Sequence, residues 1–226
     1  MNSKYVMLER EKMQNSLIKT IEKHSQGEII EKKSRFIANI YPINSKKEAE
    51  TLILEIKNKY RDAKHNCFAF SVYEENQKYT KCSDDGEPSG TAGVPILNVI
   101  EKNNMSNILI VITRYFGGIL LGTGGLVRAY SEATNVALKN AEIIEMDLGL
   151  SAFFEVNYGD LNKIKYYFEQ KQIEIINQDF KDSVKIFVNL TDEKYFEIIE
   201  NKGNFNFAIL SFGKIEKKYV KKLDNY

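Results

Sequence analysis

Two short stretches hold eight of the chain's thirteen glycines. The first, DDGEPSGTAG, runs from Asp84 to Gly93; the second, TRYFGGILLGTGGLVRAY, runs from Thr113 to Tyr130. Glycine weakens helix and strand interiors and is favoured where backbone turns with positive φ or comes close to another group. Two such clusters therefore interrupt the regular elements with tight, shaped loops. Charge accompanies both: Asp84, Asp85 and Glu87 in the first, Arg114 and Arg128 in the second. One reading is a binding surface built from Gly117, Gly118, Gly122, Thr123, Gly124 and Gly125 with the two arginines. Asp84, Asp85 and Glu87 then orient the arginines or the loop backbone, with His65 on the strand before them. The other reading is a pair of turns between packed elements.

Several chemistries can be weighed at these loops. Oxygen ligands spaced like Asp84, Asp85 and Glu87 suit Mg²⁺ or Ca²⁺, or acid–base work, but Asp-Asp-Gly and Pro-Ser-Gly are also ordinary turn formers. Gly122–Gly125 precedes a helix, where free N–H groups and the helix dipole favour a small-molecule anion or a phosphate backbone. The spacing is neither a P-loop nor a dinucleotide fingerprint. His65 and Cys67 share a strand face, so contact between them is geometrically allowed. No lowered-pKa setting is readable around Cys67, which reads as core. Two histidines, His24 and His65, rule out a multi-histidine metal site. No catalytic residue, metal or cofactor is assigned.

The charge balance of +1 gives no global drive onto nucleic acid. Only Cys67 and Cys82 are present, which fits free thiols in a reducing cytoplasm rather than a disulfide framework. No apolar run approaches the roughly 18 residues that span a bilayer, so no membrane association is expected.

Periodicity outlines two units. Residues 1–22 read as a loosely ordered lead, with Met13 as an alternative start. A first domain over 23–145 opens with two short strands around Glu31–Ser34. Ser45 and Glu48 form a capping box before a helix carrying Ala49, Leu52, Ile53 and Ile56. HNCFAFSVYE is a strand, Thr91 to about Glu101 a helix, and NILIVITRY the best central strand. A helix from about Gly125 to Ala141 presents Leu126, Ala129, Tyr130, Ala133, Val136 and Ala137 inward. The pattern breaks over 142–148, and a second domain over 146–226 follows. Its order is β-α-β-β-α-β, the ferredoxin-like split βαβ, with a last strand near Phe207–Ile215. Its many aromatics suit either base stacking or core packing, and no RNP-like pattern favours the former. The tail lysines Lys214, Lys217, Lys218, Lys221 and Lys222 read as a solvated strand end or frayed tail, with phosphate contact the second reading.

The strings SDDGEPSGTAGVPIL and VITRYFGGILLGTGGLVRAYSEA, with SRFIANIYPI and DAKHNCFAF upstream, resemble the signature of the YigZ/IMPACT family over about residues 28–140. The resemblance implies an α+β protein whose first domain is ribosomal-protein-like, similar to the fourth domain of elongation factor G. It also implies no established chemical activity, and eukaryotic members that regulate translation by competing for a partner of a stress kinase. The expected function is a non-enzymatic, translation-related regulator that binds a protein partner or RNA, the ribosome included, through the glycine-rich surface. The alternative is an enzyme acting on a phosphorylated or nucleotide-like ligand in a glycine-lined cleft.

Overall fold

The computed structural model describes residues 17–74 and 77–222. The chain divides into two compact units, one over Ile18–Glu145 and one from Met146 onward. Among the described residues no helix is long and apolar enough to cross a membrane.

The first unit is built on an antiparallel sheet of β2 (Ser25–Glu31), β3 (Ser34–Pro42), β4 (His65–Glu74), β5 (Gln77–Ser83) and β6 (Ile108–Tyr115). The strand order is β2-β3-β6-β4-β5, so β6 is central, as its unbroken β-branched run predicts. Both of its faces are covered. Ile108, Ile110 and Ile112 point to one side, where they pack with Ile96 and Ile100 of α2 (Gly93–Lys102) and with Ala129 and Ala133 of α3 (Thr123–Lys139). Leu109 and Val111 point to the other, against Ala49, Ile53 and Ile56 of α1 (Lys46–Lys59). Over Ile108–Ile112 the strand is buried on both faces and apolar at every position, which is why this part of β6 shows no alternation.

Local signals position the helices. Ser45 Oγ accepts the Glu48 N–H at 3.0 Å, and the Glu48 carboxylate accepts the Asn44 N–H at 2.7 Å. This closes the N-terminus of α1 from both directions. On α3 the buried stripe includes Thr134 and Leu138, whereas Val136 is only half-buried.

The loose lead expected over 1–22 gives way at its end to β1 (Ile18–Ile21). Ile18 and Ile21 are buried, Thr20 Oγ1 donates to the Asn107 carbonyl at 2.9 Å, and the Ser106 N–H bonds the Lys19 carbonyl. The reading of Met13 as a start lies outside the described residues. Where the sequence pattern breaks, over 142–148, all but residue 142 belong to a continuous strand, β7 (Ile143–Val156). The first half of that strand is only partly buried, so no hydrophobic alternation marks it.

The second unit is ferredoxin-like. β7, α4 (Leu161–Gln170), β8 (Glu174–Phe180), β9 (Val184–Thr191), α5 (Asp192–Asn201) and β10 (Ile209–Lys221) follow in turn. The strands order as β10-β7-β9-β8. Phe154, Val156, Ile186 and Val188 form the core with Ile164, Phe168 and Ile198 of the helices. Thr191 caps α5 by accepting the Lys194 N–H. Asp160, the residue before α4, does not cap it with its side chain, which accepts the Ala208 N–H and the Lys163 ammonium instead. Of the readings of the lysine-rich tail, the structure shows a strand end: β10 extends to Lys221, and Lys214 and Lys217 pair with Asp192.

Helix α3 seats directly on β2 at Gly27, where a Cβ would lie 2.6 Å from the Ala137 nitrogen and 2.7 Å from its Cα. Backbone cannot yield as a side-chain tip can. Gly27→Ala is expected to cost about 1–3 kcal/mol by overpacking. Gly159→Ala, with nothing within 4 Å, should stay within about 0.5 kcal/mol of wild type in the same chemical denaturation.

Candidate functional site

Arg114 has the same strand parity as Ile110 and Ile112, so it faces α3 rather than solvent. Its Nη1 donates to Glu87 Oε1 at 2.7 Å, and the two side chains are 6% and 3% exposed. Nη2 donates to Ser34 Oγ at 3.3 Å. The guanidinium lies over the rings of Phe36 and Phe116, 5.3 and 5.6 Å from their centroids. Glu87 Oε1 also accepts the Tyr130 hydroxyl of α3 at 2.8 Å. One ion pair therefore joins β6, the β2–β3 turn, the first glycine loop and α3. Arg114 Nε has no hydrogen-bond partner among the described residues.

The first glycine loop is wired inward throughout. Asp84 Oδ1 accepts the N–H groups of Ala92 and Gly93 at 2.9 Å each, and Oδ2 accepts that of Gly90 at 2.8 Å. Burial by itself raises the Asp84 pKa, but these three donors outweigh it and hold the carboxyl below its ordinary value. Asp84 thus closes the loop and serves the open N-terminus of α2. Asp85 accepts from Lys57 Nζ at 2.6 Å and from the Asn66 N–H at 2.7 Å. His65 Nδ1 lies 2.9 Å from the Asp85 carbonyl oxygen. A carbonyl only accepts, so Nδ1 carries the proton. The three acids do not converge on one point, and among the described residues no cluster of three metal-ligating side chains exists.

Cys67 Sγ lies 2.9 Å from the Asp84 carbonyl and 3.3 Å from Tyr130 Oη. Burial pushes its pKa up to about 12, so the thiol stays protonated at neutral pH and is a poor nucleophile. The Tyr130 hydroxyl is pushed up as well, first by burial and then by Cys67 and Glu87.

The second glycine loop faces outward. Gly117 is pressed against the β2–β3 turn: a Cβ there would stand 2.0 Å from the Lys33 carbonyl carbon, and its N–H reaches Ser34 Oγ at 3.2 Å. At the far end Leu121 is buried and Gly122, at φ 72°, is the N-cap of α3 without any side-chain cap. Between these anchors Ile119 and Leu120 are 43% and 82% exposed, and Phe116, just before the first, is 50% exposed. Thr123, Gly124 and Arg128 are exposed on the first turns of α3, with Gly125 half-buried behind Leu121. Gly118 turns the loop with φ 85°. Beside α3 opens a cleft of about 530 Å³ lined by Lys32, Leu121, Gly125 and Arg128, with Glu31 and Glu132 also in its wall.

The twelve residues singled out from sequence therefore fall into two groups. Arg114 and Glu87, buried, and Asp84, Asp85 and His65, half-buried, form an inward-facing scaffold. Arg114 is not presented as a phosphate contact requires, because its charge is spent on Glu87 inside the unit. Gly117, Gly118, Gly122, Thr123, Gly124, Gly125 and Arg128 shape the outer surface. Sequence reading missed Ser34, Lys32 and Lys33 of the turn, and the exposed Phe116, Ile119 and Leu120. The last three carried a signal, an apolar run set between glycines.

The family model described as Impact N-terminal domain matches residues 32–138, and that described as a domain of unknown function, DUF1949, matches 154–200. IMPACT family member YvyE of Bacillus subtilis is 37% identical over 77% of this chain and 80% of its own length. IMPACT family member YigZ of Escherichia coli is 33% identical over 82% of this chain and 92% of its own. A crystal structure of a hypothetical protein superposes at TM-score 0.62 and 29% identity, covering 89% of this chain and 98% of that one.

The two arginines should respond very unequally to the same substitution. Arg114→Gln strands the buried Glu87 carboxylate and is expected to cost about 3–5 kcal/mol. Arg128→Gln, on the exposed face of α3, should change stability by less than about 0.5 kcal/mol. Urea unfolding of both variants checks this; similar effects would contradict the division into scaffold and surface.

Proposed function

The chain belongs to the IMPACT family, and from that membership we propose that it is a non-enzymatic, translation-related regulator that acts by binding a partner through the surface of its second glycine loop. The translational setting comes from the role that the family resemblance implies for eukaryotic members. The binding mode rests on the loop itself. Leu120 is 82% exposed at the tip of a loop fixed at Gly117 on one side and at buried Leu121 on the other. Holding Ile119 and Leu120 in water gains nothing for folding, and a clustered apolar surface of this kind suits contact with another macromolecule.

The groups that an enzyme would need are engaged elsewhere. Cys67 is buried and protonated, Asp84 and Asp85 hold backbone, and Glu87 neutralises Arg114. These assignments favour partner binding over catalysis in a glycine-lined cleft.

The test is a reconstituted translation reaction supplied with purified protein. Wild type is expected to change the yield of a reporter, and Leu120→Glu to abolish the change while melting within about 2 °C of wild type. A reporter unaffected by wild type, or affected equally by the variant, contradicts the proposal.

A further inference from the structure

Resting on that reading, the chemistry of the outer surface narrows the class of partner. Three cations flank the loop. Lys32 and Lys33 form the tip of the β2–β3 turn, both with positive φ, and Gly117 packs on the Lys33 backbone. Arg128 stands on the first turns of α3. Lys32, Lys33 and Arg128 are exposed and form no ion pair among the described residues. The neighbouring Arg35, by contrast, holds Glu28 with two hydrogen bonds. The N-terminus of α3 adds to the positive side, because Gly122 offers no side chain to its free N–H groups.

Exposed aliphatic side chains accompany these charges: Ile119 and Leu120 in the loop and, on α3, Val127, which is 38% exposed and lines the cleft with Leu121. Two observations weigh against a nucleic-acid strand. Aliphatic side chains offer bases no stacking platform, and Phe116 is the single aromatic of the loop. Glu31 and Glu132 also line the cleft, where they would oppose a continuous phosphate backbone. A polypeptide meets both conditions, since its carboxylates are spaced and its own donors can reach those two acids.

We infer that the loop and its cleft dock an amphipathic segment of a partner protein, with apolar side chains against Ile119, Leu120 and Val127 and flanking carboxylates against Lys32, Lys33 and Arg128. This is helix-in-groove recognition, in which apolar anchors at i, i+3, i+4 and i+7 supply the contact area and charges at the rim set orientation and selectivity.

Three probes test the assignment by fluorescence anisotropy on the full chain. The first is a synthetic helix-forming peptide with leucine at i, i+3, i+4 and i+7 and glutamate on both flanks. The second carries lysine in place of every glutamate, and the third is single-stranded polyuridylate. The glutamate peptide is expected to bind tightest. Arg128→Glu and Lys32→Glu should each weaken it by on the order of tenfold, and Leu120→Glu by at least as much. Each variant must first melt like wild type. Equal or tighter binding of the lysine peptide or of polyuridylate overturns the inference, as do charge reversals without effect. The two proposals fail separately. Loss of the translational effect in Leu120→Glu without any binding of the glutamate peptide sinks only the partner class. Peptide binding as described, with an unaffected reporter, leaves the docking surface and removes the translational role.

Discussion

The Arg114–Glu87 pair is the contact on which both glycine loops depend. Two charges taken out of water lose hydration worth several kcal/mol each, and their attraction offsets that loss only when geometry and further hydrogen bonds are good. Here the partners stand 2.7 Å apart, with Ser34 on the arginine and Tyr130 on the carboxylate. Each partner belongs to a different element, so the pair forms only when β6, the β2–β3 turn, the first loop and α3 are all in place. Arg114 Nε remains without a partner among the described residues, and the rings of Phe36 and Phe116 flank the guanidinium. Removing either charge alone would leave the other in a site that cannot hydrate it.

From that anchor the loops divide their tasks. In the first, every carboxylate turns inward: Asp84 to three amides, Asp85 to Lys57 and Asn66, Glu87 to Arg114. The depressed Asp84 pKa has a definite sign. Its contribution to stability is complete above the ordinary carboxylate value, about 3.9, and fades as pH falls through the lower folded value. In the second loop the glycines bring backbone against the β2–β3 turn and start α3, which leaves Ile119 and Leu120 exposed to solvent. Rigid support below and apolar exposure above is an arrangement suited to preorganised binding, because little conformational freedom remains to be lost.

Much of the fold was legible because its signals are local. The Ser45–Glu48 capping box, the unbroken run of β6 and the helical stripe around Tyr130 each rest on residues a few positions apart. The ferredoxin-like order could be read for the same reason. The end of β10 could not, since register shifts after Ile209 and Lys214 break its period. The roles of the two arginines were hidden by distance along the chain: Glu87 and Arg114 are 27 residues apart, Ser34 and Arg114 80. Parity still held part of the answer. Arg114 shares a strand face with Ile110 and Ile112, whereas Arg128 lies off the stripe of Leu126, Ala129, Tyr130 and Ala133.

The most direct test of the central claim is a double-mutant cycle with Arg114→Met and Glu87→Leu, read by urea unfolding. If the pair anchors the loops, each single change costs about 3–5 kcal/mol, and the double variant is more stable than the sum of the two predicts. The coupling should reach about 2–3 kcal/mol. Strict additivity, with a coupling below about 0.5 kcal/mol, would mean that the two side chains act independently and that something else holds the glycine loops in place.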